Sequence, residues 1–149
     1  MKIRILVVGM YSKILLAVDG SEQNRAAVRS AVSLASKLGS SITAVYVMVG
    51  TELKPNAFGG DVGISERQEI ADKSAKEAFD LVESLAKSEG VECEVKALPG
   101  KPCDTIAALS GDYDLLVCGN LGRTGLSKMM GSVSKSLVQY AKCPVLVIR

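Results

Sequence analysis

The sequence contains no histidine and no tryptophan, and aromatic residues make up only 4% of its 149 residues. The absence of histidine removes the usual general base, which excludes Ser-His-Asp and Cys-His hydrolysis. The four cysteines form no C-x-x-C pair, so they argue against a zinc site and are expected to be reduced core thiols: Cys93, Cys103, Cys118 and Cys143. With so few aromatic residues, the core must consist of Val, Ile, Leu and Ala, which is typical of buried parallel sheets.

The chain also lacks a large excess of charge. Eighteen basic and sixteen acidic residues give a net charge of +2, which is too small to indicate a nucleic-acid or membrane partner. The distribution is uneven, because residues 115–149 contain five basic residues and no Asp or Glu. This region is either a solvated basic face or a local positive field for a small anionic ligand.

The N-terminus has no long hydrophobic segment. Its apolar run, within residues 1–9, is too short for a secretory signal or a membrane span, so we expect a cytoplasmic protein. A second methionine, Met10, directly precedes the first periodic segment. We therefore interpret residues 1–9 as an N-terminal extension, from a misassigned start or an added segment, and residues 10–149 as one domain.

Strand-like and helix-like segments alternate along the rest of the chain. Apolar or alternating segments typical of strands occupy 13–19, 41–49, 91–98, 114–119 and 142–149. Helical patterns lie between them, with starts expected at Ser21, near Ile64, at Pro102 and at Ser132. Residues 50–63 are expected to form a loop. The alternation predicts an α/β, doubly wound (Rossmann-like) parallel sheet of five strands in the order 3-2-1-4-5, with helices on both faces.

A glycine-rich segment follows the fourth predicted strand. It reads GNLGRTGLSKMMGSVS, with glycines at Gly119, Gly122, Gly125 and Gly131 before the helix that begins at Ser132. Glycines let a ligand approach the backbone, and a helix start presents amides and positive dipole, so the segment predicts an anion-binding site. Hydroxyl and basic side chains nearby could contribute to it: Ser132, Ser134, Thr124, Arg123, Lys128 and Lys135. The alternative is a loop of tight turns with Ser132 as an ordinary helix cap.

These motifs resemble the universal stress protein family, specifically its ATP-binding branch. The likeness extends from Tyr11 to Arg149 and rests on KILLAVDGSE, on GNLGRTGL with GSVS, and on the closing CPVLVIR. The motif of that family usually reads Gly, two residues, Gly, nine residues, Gly, and then Ser or Thr. This chain has eight residues between Gly122 and Gly131.

The resemblance implies a nucleotide site at the carboxyl edge of the sheet. Asp19 resembles the family acid near the ribose and phosphates, where Mg²⁺ would arrive with ATP, and Val47 resembles the position whose backbone recognises adenine. The implied nucleotide-binding residues are Ala17, Asp19, Val47, Cys118, Gly119, Gly122, Arg123, Gly131, Ser132, Val133 and Ser134. No catalytic residue and no metal site formed by protein alone are implied.

The resemblance also implies a regulatory homodimer. Many family members pair through their last strand, and here Val145, Leu146, Val147 and Ile148 form an apolar run suited to edge pairing. A dimeric interaction protein of the same fold without ATP is the main alternative. An adenine-nucleotide hydrolase-type enzyme is disfavoured, because the turn DGSEQN lacks the paired glycines of S-G-G-x-D-S. A response-regulator receiver domain is also disfavoured. It needs a phosphorylatable Asp at the end of its third strand, and here that strand ends in Leu98-Pro99-Gly100.

Overall fold

The computed structural model describes residues 9–50, 62–120 and 130–149. The strands are β1 (Lys13–Ala17), β2 (Ser41–Met48), β3 (Cys93–Pro99), β4 (Leu115–Gly119) and β5 (Val145–Ile148). The helices are α1 (Arg25–Leu38), α2 (Val62–Glu89), α3 (Pro102–Leu109) and α4 (Ser132–Tyr140), with a 3₁₀ turn, η1, at Ser110–Asp112. All strand pairs are parallel and the order is β3-β2-β1-β4-β5, which confirms the predicted fold.

The central strand explains the uninterrupted apolar run near the start of the chain. Ile14, Leu15 and Leu16 of β1 are all fully buried, because the strand has a neighbour on each side and helices on each face. The edge strands β3 and β5 are only partly buried. The alternating pattern of the third strand therefore correctly predicted its position at an edge.

Alternation along the strands divides the core into two layers. Leu16 and Tyr46 pack with α1 and α2 on one face of the sheet. Leu15 and Val47 pack on the other face with Ile106 of α3 and Leu137 of α4. Because successive residues of a strand point to opposite faces, each strand supplies both layers.

The predicted start of the first helix, at Ser21, is wrong. α1 begins at Arg25, and the preceding residue, Asn24, makes no side-chain capping bond. The Ser21 hydroxyl instead donates to Asp19 Oδ1 at 2.6 Å and accepts from the Asn24 amide at 3.2 Å. The Asn24 amide also donates to the Ser21 carbonyl at 3.2 Å, three residues back, so Ser21 begins a turn that precedes the helix.

The expected helix ends are largely confirmed. Gly39 and Gly90 follow α1 and α2 with φ of 69° and 66°, the left-handed region that ends helices at glycine. α2 begins at Val62, inside the predicted loop 50–63. The rest of that loop, residues 51–61, and residues 1–8 of the predicted extension lie outside the described residues.

The cysteines differ in their surroundings. All four are free thiols, but only Cys118 is buried, while Cys93, Cys103 and Cys143 are partly exposed. The expectation of core thiols is therefore right only for Cys118. Among the described residues, no helix is both long enough and apolar enough to cross a membrane.

Candidate functional site

A cavity of about 490 Å³ opens at the carboxyl edge of the sheet, where β1 lies between β2 and β4. The chain leaves β1 toward β2 on one side and reaches β4 on the other, so the strand order reverses here. Doubly wound sheets bind ligands at this point, because the loops that follow the two strands diverge to opposite faces and leave a crevice.

Most of the residues predicted to bind a nucleotide lie around this cavity. The predicted residues that line it are Ala17, Asp19, Val47, Cys118, Gly119, Gly131, Ser132, Val133 and Ser134. Gly122 and Arg123 lie outside the described residues, as do Thr124, Gly125 and Lys128. Lys135 is exposed on α4 and is not part of the cavity lining. The fold therefore brings together segments that are far apart in the sequence.

The N-terminus of α4 forms one wall. The Gly131 amide donates to the Asn120 carbonyl at 2.8 Å, which fixes the start of the helix beside the end of β4. The first helical bond is made by the Lys135 amide, which donates to the Gly131 carbonyl at 3.0 Å. The three preceding amides, of residues 132–134, therefore have no acceptor within the helix and carry its positive dipole.

Ser134 and Cys118 connect this helix to β4. The buried Ser134 hydroxyl donates to the Gly119 carbonyl at 2.5 Å. Burial raises the pKa of the Cys118 thiol to about 11, although a hydrogen bond with Ser134 opposes the shift. Cys118 is therefore a neutral thiol at pH 7, and it forms part of the cavity wall.

The turn after β1 brings a carboxylate to the opposite side of the cavity. Asp19 Oδ1 accepts from the Ser21 amide at 2.8 Å and from the Ser21 hydroxyl at 2.6 Å. Gly20 between them has φ of 75°, which permits the tight turn. One carboxylate oxygen is thus oriented by two donors at the cavity edge.

The remaining walls are mainly apolar. Ala17, Val47 and Cys118 point to the α3 and α4 face of the sheet, where the cavity also contacts Ile106 and Leu137. Such a surface favours a planar or apolar group, whereas the start of α4 favours an anion. No group of three or more Cys, Asp or Glu side chains suited to a metal ion occurs in the described ranges.

Sequence reasoning missed several lining residues. Pro102 and Ile106 were identifiable, since α3 starts directly after β3 and must therefore begin at the carboxyl edge. Ile70, Ala71 and Ser74 of α2 gave no such signal. Helical periodicity identifies a buried face but does not show which part of a long helix leans over a cavity.

Comparisons with known proteins agree with this architecture. The model of the universal stress protein family matches residues 10–149. A universal stress protein of Methanocaldococcus jannaschii is 32% identical over 144 residues, which cover 94% of this chain and 83% of the relative.

Two solved structures have the same fold. The universal stress protein UspA from Lactobacillus plantarum superposes with a TM-score of 0.75 at 27% identity, covering 93% of this chain and 98% of that one. A universal stress protein from Archaeoglobus fulgidus, solved in complex with dAMP, gives a TM-score of 0.67 at 24% identity, covering 95% and 100%. With the match over residues 10–149, the sheet order and the crevice between β1 and β4, this chain belongs to the universal stress protein family.

Proposed function

We propose that this protein binds ATP, or another adenine nucleotide, in the cavity at the carboxyl edge of the sheet. The observation that carries the proposal is the arrangement of the α4 N-terminus, whose first residues line the same cavity as apolar walls and one oriented carboxylate. A nucleotide needs these three surroundings together: an apolar slot for the base, a polar group near the sugar, and a cationic or amide site for the phosphates.

The residues present fit such a ligand. Ala17, Val47 and Cys118 would form the slot for the base, and Asp19 would lie near the ribose and an accompanying Mg²⁺. The amides of residues 132–134 would receive the phosphates. The absence of Asp and Glu from residues 115–149 supports this assignment, because no carboxylate of that segment opposes an anion at the start of α4.

The family comparison supports the same ligand class. The Archaeoglobus fulgidus protein of the same fold was solved with dAMP, an adenine nucleotide. The choice of ATP in this chain rests on the glycine and serine motif. A bound nucleotide would act as a regulatory ligand rather than as a substrate, because the described residues around the cavity include no histidine and no clustered carboxylates for catalysis.

The proposal extends to a cytoplasmic homodimer that responds to the nucleotide. β5 is an edge strand, and its Leu146 is exposed. A second copy pairing along this edge would extend the sheet. The four free thiols are in keeping with a reducing compartment. A dimer that acts without a nucleotide is the competing function.

The test is calorimetric titration of ATP and AMP into the purified protein, with extraction of any co-purified nucleotide. The variant Gly131→Val places a branched side chain in the phosphate region. Gly131 has φ of −63° and ψ of 159°, which valine also adopts, so a loss of binding would report the side chain rather than backbone strain. We expect at least a tenfold loss of affinity.

Gly111→Val is the control. Gly111 lies in η1 at the opposite edge of the sheet, and a Cβ there meets the flexible Lys142 side chain at 3.2 Å. This variant should bind like the wild type. Absence of both co-purified nucleotide and heat at millimolar ATP would refute nucleotide binding, and equal binding by Gly131→Val would refute this cavity as the site.

A further inference from the structure

The parallel pairing between β1 and β4 stops two residues before β4 ends. Its register pairs Ile14 with Leu115, Leu15 with Leu116 and Leu16 with Val117. Continuing this register by two residues would place Val18 opposite Gly119, which is still within β4. The two strands therefore separate at the cavity.

The backbone of β1 shows which groups lose a strand partner there. The Val18 amide donates to the Val45 carbonyl of β2 at 3.0 Å. Peptide groups of a parallel strand alternate between its two neighbours, so the Ala17 carbonyl and the Asp19 amide point toward β4. A continued ladder would bond both groups to Gly119.

The side chain of Asn24 bonds both of these groups instead. Its Nδ2 donates to the Ala17 carbonyl at 3.1 Å, and its Oδ1 accepts from the Asp19 amide at 3.4 Å. Asn24 is only 6% exposed and lines the cavity. A primary amide carries one acceptor and one donor group in the same arrangement as a peptide, so it can replace the missing step of the ladder.

The other side of the separation is satisfied in the same way. The Gly119 carbonyl, which a continued ladder would direct at Asp19, accepts from the Ser134 hydroxyl. Asn24 comes from the segment before α1 and Ser134 from the first turn of α4, on opposite faces of the sheet. Two side chains from different faces thus bond three of the four backbone groups of the missing step: the Ala17 carbonyl, the Asp19 amide and the Gly119 carbonyl.

We propose that Asn24 is a positioning residue of the nucleotide site, whose carboxamide keeps the end of β1 apart from β4 and fixes the turn that carries Asp19. This role rests on the proposed function for its effect on ligand affinity. The same side chain bonds the backbone on both sides of Val18, so its loss frees the turn. Asp19 and its donor Ser21 then lose their fixed position relative to Gly119.

The test uses Asn24→Leu, which preserves the approximate size of the side chain, and Asn24→Ala, which does not. Ser110→Ala is the matched control. Ser110 is also buried and also makes one donated and one accepted backbone bond, to Ala107 and from Lys142, but it lies at the opposite edge of the sheet. Amide hydrogen exchange is measured by NMR without ligand, and ATP affinity is measured by calorimetry.

In both Asn24 variants we expect the Asp19 amide to exchange about tenfold faster or more, since this partly buried donor loses the Asn24 acceptor. ATP affinity should fall by about the same factor, and Asn24→Leu should have little further effect in an Asp19→Ala background, because the two residues act together. Ser110→Ala should change neither quantity, although urea unfolding should show a comparable loss of stability.

Unchanged Asp19 exchange in both Asn24 variants would overturn the proposal. Faster exchange with unchanged ATP affinity would also overturn the positioning role. If the wild type binds no adenine nucleotide, the proposed function fails by itself, and the exchange measurement still decides whether Asn24 fixes the end of β1.

Discussion

The Ser134 hydroxyl donates to the Gly119 carbonyl at 2.5 Å, and this bond joins the first turn of α4 to the end of β4. The two residues are 15 positions apart, and residues 121–129 between them lie outside the described part of the chain. The bond fixes the helix start relative to the strand regardless of the path between them. A site that uses the amides of α4 therefore depends on a side chain within the same helix.

Ser134→Ala should weaken both the fold and the site. It leaves the partly buried Gly119 carbonyl without its donor, which should lower the free energy of unfolding by about 1 kcal/mol. Nucleotide affinity should fall with it, because the start of α4 is released from β4. Urea denaturation and calorimetric titration measure the two effects. Ser136→Ala, two residues along the same helix and partly exposed, should change both by much less; an equal effect would contradict the importance of the tether.

Alkaline pH should destabilise the protein through its buried thiol. Burial raises the pKa of Cys118 to about 11 from an ordinary value of about 9, and burial also raises the pKa of Cys93 and Cys143. Because the folded pKa exceeds the unfolded one, this contribution is fully present below pH 9 and is lost as the pH rises toward 11. Urea unfolding at pH 8 and pH 10.5 should show the decrease.

Cys118→Ala isolates the largest part of that effect. The variant starts from a lower stability, but its loss between pH 8 and pH 10.5 should be smaller than in the wild type. A parallel pH dependence in the two proteins would show that the Cys118 thiol does not carry the effect.

The central strand should be the most sensitive part of the core. Leu16 is fully buried, so Leu16→Ala should cost about 2–5 kcal/mol of unfolding free energy through lost burial and the cavity that it leaves. Ile70 on α2 is 68% exposed, so Ile70→Ala should stay within about 0.5 kcal/mol of the wild type. Chemical denaturation of both variants checks the contrast, and similar losses would contradict the described burial.

The proposed dimer can be tested through the backbone of β5. The carbonyls of Pro144 and Ile148 accept from β4 and its following residue, so by alternation the peptide groups of Val145 and Val147 point away from β4. Val147→Pro removes an outward amide without removing a bond to β4, and it should convert a dimer to a monomer in sedimentation velocity. Val147→Ala should remain dimeric. An unchanged dimer in Val147→Pro would refute pairing through this edge.

Local sequence patterns were most informative where one interaction dominates. The apolar run of β1 predicted a strand buried on both faces, and Gly39 and Gly90 predicted helix ends that need a left-handed residue. The start of α1 was wrongly predicted at Ser21, because the chain first makes a turn in which the Asn24 amide donates to the Ser21 carbonyl. A capping pattern cannot show that Asp19 is the acceptor that Ser21 bonds.

The glycine and serine motif identified one side of the site, and the resemblance to a family supplied Asp19 and Val47 on the other side. Neither identified Asn24. Its carboxamide bonds two backbone groups of the chain at the end of β1, and these groups lack a partner on β4 only because the two strands separate there. The contribution of Ile70, Ala71 and Ser74 likewise depends on how α2 crosses the sheet.

The sequence by itself determined the alternation of strands and helices, the parallel sheet and the position of the α4 amides, because these follow from local periodicity and backbone chemistry. The tertiary structure alone decided where the ladder between β1 and β4 stops and which side chains take over its hydrogen bonds. Those choices depend on groups distant in the chain that compete for the same donors and acceptors, and this competition is settled only when the sheet and both helical layers pack together.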